Sequence, residues 1–172
     1  KTVTARAIMR LVPTPPGEMA RGQILFEGDD ILHKSESQMR ALRGRKIAMV
    51  FQEPMSALNP VFTVGSQIID ALKSNMGLSA RQAKARVIEL LSLVGIPSPA
   101  SRYNNYVHEF SGGMRQRVML AMALSCDPTF LIADEPTTAL DVTIQATILE
   151  LIRSMIERFH MSLIFITHNL GV

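Results

Sequence analysis

Three short runs of apolar residues, 47–51, 130–133 and 163–166, stand out from a chain otherwise patterned at helical spacing. Each is too short and too uniformly apolar for a surface helix, so each reads as a buried strand. Continuous rather than alternating hydrophobicity means that both faces are covered, as in a parallel sheet with helices on either side. The intervals are long enough for helical crossovers. One predicted helix spans 142–159 and carries Ile148, Leu151, Ile152, Met155, Ile156 and Phe159 on one stripe. Residues 60–110 break the alternation. They lack a convincing strand and read as an inserted helical subdomain, whose clearest helix starts after Ser79, with Gln82 in capping-box spacing. It buries Ala83, Val87, Leu90, Leu91 and Val94 and stops at Gly95. Near the N-terminus a helix is expected over 4–11, ended by the cluster Pro13, Thr14, Pro15, Pro16, Gly17. A short strand over 23–26 follows, then a small helix opened by Ser35 and Gln38 and terminated by Gly44.

Composition narrows the classes. The 172 residues suffice for one core, with room for a subdomain, and 47% apolar against 19% charged residues argues against disorder. No apolar stretch reaches the roughly 20 residues of a membrane span, so membrane association would go through a partner. The net charge of +3 is scattered, except for Arg43, Arg45 and Lys46, read as a solvated face. Aromatics are 5% with no tryptophan, which leaves few stacking platforms, and no nucleic-acid partner is expected. Cys126 is the sole cysteine, which excludes an internal disulfide, and it reads as a small buried hydrophobe. The first residues are basic and apolar, but Arg6 and Arg10 interrupt them, so they read as a helix cut at its start rather than a targeting peptide.

The candidate chemistry lies at the strand ends: Gln52 after the first, Asp134 and Glu135 after the second, Thr167 and His168 after the third. Ligands of open parallel sheets bind beyond the carboxyl ends of the strands, so these groups should converge. Singly, Gln52 could be a turn residue, Asp134 a cap and His168 a core histidine. Ser111, Gly112 and Gly113 precede a helix running through Val118, Leu120, Ala121 and Leu124, which suits either an anion site at bare amides or an ordinary N-cap by Ser111.

FSGGMRQR (110–117), then FLIADEPTTALD (130–141), then IFITH (164–168) resemble the signature motif, the Walker B motif with D-loop, and the H-loop of ABC ATPases, in family order and approximate spacing. VFQEP (50–54) resembles the Q-loop, and Lys1-Thr2 matches the last two positions of Walker A. FQEPMSALNPVFTVGSQI (51–68) is similar to the ATPases of oligopeptide, dipeptide, nickel and glutathione importers. The glycine-rich part of Walker A, the upstream strands and the C-terminal region of the family are not in the sequence. Asn169 stands where an aspartate commonly follows the H-loop histidine.

The resemblance implies an α/β fold: a RecA-like P-loop NTPase parallel-sheet core with an inserted α-helical ABC subdomain, divided as 1–58, 59–117 and 118–172. It implies ATP and Mg²⁺ as cofactors, Lys1 on the β- and γ-phosphates, Thr2, Gln52 and Asp134 at the metal, Glu135 as general base and His168 orienting the γ-phosphate. Ser111, Gly112, Gly113 and Asp141 would complete the site of an opposing subunit. Partners would be a second ATPase subunit, head-to-tail, and membrane permease subunits, which places the protein peripherally on the cytoplasmic face of the membrane. The intact protein would be a transport ATPase, and the chain as it stands is expected to be inactive. Glu135 could instead merely charge the loop before Pro136, and Asp141 merely cap the helix at Val142. The rival functions are a DNA-repair or chromosome-organising ATPase and a non-catalytic remnant.

Overall fold

The computed structural model describes residues 1–15, 17, 21–138 and 140–169, so Pro16 of the expected breaker cluster lies outside the described residues. Along the chain come α1 (Thr2–Ile8), a hairpin of β1 (Leu25–Phe26) and β2 (Asp29–Asp30), α2 (Glu36–Leu42) and β3 (Ile47–Val50). Four helices follow: α3 (Pro54–Ala57), α4 (Val64–Met76), α5 (Ala80–Leu93) and α6 (Pro99–Arg102). A 3₁₀ turn (Val107–Glu109) leads to α7 (Gly112–Ala123), β4 (Phe130–Asp134), α8 (Val142–Phe159) and β5 (Ser162–Ile166).

The three apolar runs form one parallel sheet in the order β3-β4-β5, with Ile47 opposite Phe130 and Phe130 opposite Ser162. The register aligns the strand ends, which brings the residues after each strand to a common rim. Both faces are covered, as the unbroken hydrophobicity requires. Leu131 packs into the cluster formed with α4, α5, α7 and α8, whereas its neighbour Ile132 packs into a second cluster with Ala5, Met9, Ile31 and Met39. Side chains alternate across a strand, so β4 joins the two halves of the core.

Helix starts follow local chemistry. Ser35 and Ser79 each accept from the backbone three residues on, while Gln38 and Gln82 reach back, so both expected capping boxes form. The stripe Ala83, Val87, Leu90, Leu91 and Val94 is buried, and Gly95 ends α5 at φ +75°. In α8, Ile148, Ile152 and Met155 are buried, and Leu151, Ile156 and Phe159 pack against them.

Three details differ from expectation. First, α1 ends at Ile8, before the proline cluster. Arg10 adopts a left-handed φ of 49°, its amide donates to Ala7 and that of Leu11 to Arg6, which closes the helix by a backbone turn without proline. Second, the strand expected over 23–26 is half of a hairpin. Glu27 and Gly28, both at positive φ, form a two-residue turn that pairs Phe26 with Asp29. Third, Arg43 is no solvated residue. Its guanidinium donates to Met9 O (2.8 Å) and Arg10 O (3.3 Å) and pairs with Glu36 (2.5 Å), tying α2 to the carbonyl end of α1.

Candidate functional site

Glu135 is the first residue past β4, and its amide donates to Ile166 O of β5 at 2.9 Å. That bond holds the backbone at φ 48°, a left-handed conformation a glutamate rarely adopts and of the kind that clusters at functional sites. The carboxylate that results is the meeting point of three segments. Oε2 accepts from Gln52 Nε2, after β3, at 2.9 Å and from Thr138 Oγ1 at 2.9 Å. Oε1 lies 3.0 Å from His168 Nδ1, after β5. Glu135 is only 17% exposed, whereas His168 is 64% exposed and able to turn toward a ligand.

The hydrogen bond from His168, then that from Thr138, hold the Glu135 carboxyl below the ordinary carboxylate range. Burial opposes them, and the charges of His168 and Lys1 add to the lowering. The folded value is depressed, so the stabilisation is fully present above the unfolded pKa of about 4.3 and is lost as pH falls through the lowered folded value. Carbon-13 titration of the glutamate side chains is expected to show Glu135 with a midpoint below that of an ordinary glutamate, moving upward in His168→Ala.

Asp134, the last residue of β4, is 2% exposed, and its Oδ1 accepts from Thr2 Oγ1 at 3.1 Å. Lys1 Nζ donates to Thr167 O at 2.6 Å, so the start of α1 stands at the same rim. A hydroxyl and a carboxylate are the hard oxygen donors that Mg²⁺ takes, supplemented by water and phosphate. Among the described residues no group of three or more His, Cys, Asp or Glu side chains could cage a cation. Thr2 and Asp134 fit such an ion. Gln52 presents its amide nitrogen to Glu135, which leaves its amide oxygen as the atom that could serve a metal.

Lys1, Thr2, Gln52, Asp134, Glu135 and His168 therefore share the rim. Ser111, Gly112, Gly113 and Asp141 take no part in the hydrogen bonds around Glu135. Ser111 caps α7, accepting from Met114 N at 3.4 Å, and Asp141 caps α8, accepting from Ile144 N at 3.0 Å. Gly113 is small for a packing reason: a Cβ there would lie 2.8 Å from Ile144 Cγ2. Gly113→Ala is expected to cost about 1–3 kcal/mol by urea denaturation. In an Ile144→Ala background, which removes Cγ2, the same change becomes neutral or stabilising, because alanine favours helix.

Sequence reasoning missed Thr138 and the pair beneath it, where Gln145 Nε2 donates to the buried Thr137 Oγ1 at 3.1 Å. The threonine pair right after Glu135-Pro136 was the available signal.

Solved structures include a dimeric ATP-binding cassette in a post-hydrolysis state bound to ADP and Pi. It superposes with a TM-score of 0.82 over 99% of this chain and 70% of its own at 23% identity, which establishes the shared fold. The oligopeptide transport ATP-binding protein OppD of Bacillus subtilis is 57% identical over 172 residues, all of this chain and 48% of that protein. The dipeptide transport ATP-binding protein DppD of the same organism is 52% identical, again over the whole chain and 51% of that protein. The chain thus spans about half the length of the curated relatives it matches. Residues 1–138 match the ABC transporter family. With the α/β parallel-sheet fold and the ordered motifs, this match establishes that the chain belongs to the ABC transporter family.

Proposed function

We propose that the chain is the ATP-binding and ATP-hydrolysing part of an ABC importer subunit that powers uptake of peptides or a related small solute. The observation that carries the reading is the convergence of Gln52, Glu135 and His168 from three parallel strands on one carboxylate, beside Thr2 and Asp134. Phosphoryl transfer asks a protein for positioned charge, a metal and an in-line water rather than covalent chemistry. Lys1 would contact the β- and γ-phosphates, and Thr2 and Asp134 would hold Mg²⁺, with the Gln52 amide oxygen as a further donor. When bound, that ion neutralises charge on the phosphates. Glu135 takes a proton from water as the water oxygen bonds to the γ-phosphorus and the bond to the ADP oxygen breaks. His168 orients the γ-phosphate and the water.

Ser111, Gly112, Gly113 and Asp141 form no hydrogen bond with this carboxylate, which agrees with their serving the nucleotide of a second, head-to-tail ATPase subunit. The divisions 1–58, 59–117 and 118–172 then correspond to core, helical subdomain and core. Met55, Val61, Phe62 and Tyr106 are exposed apolar side chains around the segment after Gln52, a surface suited to a short helix of a membrane permease. That docking places the subunit on the cytoplasmic face of the membrane. Among the described residues no helix is long and apolar enough to cross a membrane.

The test is paired: phosphate release by the purified full-length protein with Mg²⁺ and ATP, and peptide uptake by cells lacking its gene. Hydrolysis together with lost uptake supports the reading. Salt-dependent DNA binding with uptake intact would favour the nucleic-acid ATPase instead.

A further inference from the structure

We infer that Thr138 is a positioning residue for Glu135, holding the carboxylate in place from within its own turn. The inference rests on the reading of Glu135 as the base. Gln52 and His168 belong to segments after other strands, and each keeps a second polar atom, the amide oxygen and Nε2, that is not bonded to Glu135. Thr138 is built differently. It lies three residues from Glu135 on one turn, its amide donating to Glu135 O at 3.3 Å and its hydroxyl to Glu135 Oε2 at 2.9 Å. The turn is pinned from below by Gln145 on Thr137, which is 6% exposed, and closed by Leu140 N donating to Thr137 O at 3.1 Å. Thr138 therefore travels with Glu135.

A hydroxyl suits this task better than a fixed donor. It donates to the carboxylate and, by rotating, accepts from the carboxylic acid once the proton has arrived, so it holds both protonation states. A carboxylate left to rotate freely would lose the alignment on which proton abstraction depends.

The test uses Thr138→Val, which keeps the shape, and Thr138→Ser, which keeps the hydroxyl, in the full-length protein. Thr138 is exposed, so both variants should fold. Thr138→Val is expected to lower kcat about tenfold, the loss of a hydrogen bond to a charged group, with KM for ATP little changed. Thr138→Ser should restore kcat. Unchanged kcat in Thr138→Val would overturn the inference, as would a loss that Thr138→Ser does not restore or a fall in Tm without a fall in kcat. Glu135→Gln separates the two readings: if that variant turns over normally, Glu135 is not the base, whatever Thr138 does.

Discussion

Replacing Glu135 by glutamine in the full-length protein is expected to lower ATP hydrolysis by about 10² to 10⁴-fold, the usual contribution of a general base, while nucleotide affinity is retained. Glutamine keeps the length and one acceptor oxygen, so contacts to Gln52, Thr138 and His168 can be re-formed in part. What it lacks is a site for the proton of the attacking water. On the proposed reading, binding depends on Lys1, Thr2 and Asp134, none of which contacts the substituted group through a hydrogen bond in this structure. Single-turnover phosphate release and titration with a fluorescent ATP analogue read the two effects separately. Turnover near that of the unsubstituted protein would mean the base is elsewhere.

Leu131→Ala should have the largest effect on folding. Leu131 is fully buried on the central strand, where β3 and β5 flank it and the larger core cluster packs against it. Truncation removes buried carbon and leaves a cavity that a sheet fixed on both edges cannot collapse, so the expected cost is about 2–5 kcal/mol. Against a typical stability of about 5–15 kcal/mol, that is a large share. Urea denaturation of the chain should show a lowered midpoint with the slope little changed. A loss under about 1 kcal/mol would show that the sheet relaxes more readily than its pairing suggests.

The sheet and its rim were legible because they are written in local pattern. Ile47, Phe130 and Leu163 open unbroken apolar runs, and such runs have one stable environment, a sheet covered on both faces. Given a parallel sheet, the polar residues after each run had to meet, and Gln52, Glu135 and His168 do. Capping boxes at Ser35 and Ser79 were legible for the same reason: donor and acceptor lie three residues apart. What was not legible depended on backbone states or distant contacts. The turn at Glu27 and Gly28 carried a signal, glycine in a two-residue loop, but strands of two residues leave no alternation to read. Arg10 in the left-handed region gives none, and a longer helix followed. Arg43 finds its partners at Met9 and Arg10, more than thirty residues away in sequence, so its role as a tether followed only from the fold. Thr138 was passed over because a threonine after Glu-Pro has the composition of any loop. The space between Gly113 and Ile144 likewise exists only once α7 and α8 are packed.

The most direct test replaces Mg²⁺ by paramagnetic Mn²⁺ with ATP bound to the full-length protein and follows the backbone amide signals. The account predicts broadening of residues 2, 52, 134, 135 and 168, at the carboxyl ends of the strands, with residues 47, 130 and 162 at the opposite edge largely spared. Broadening centred on that opposite edge, or none at Gln52, Asp134 and His168, would contradict it.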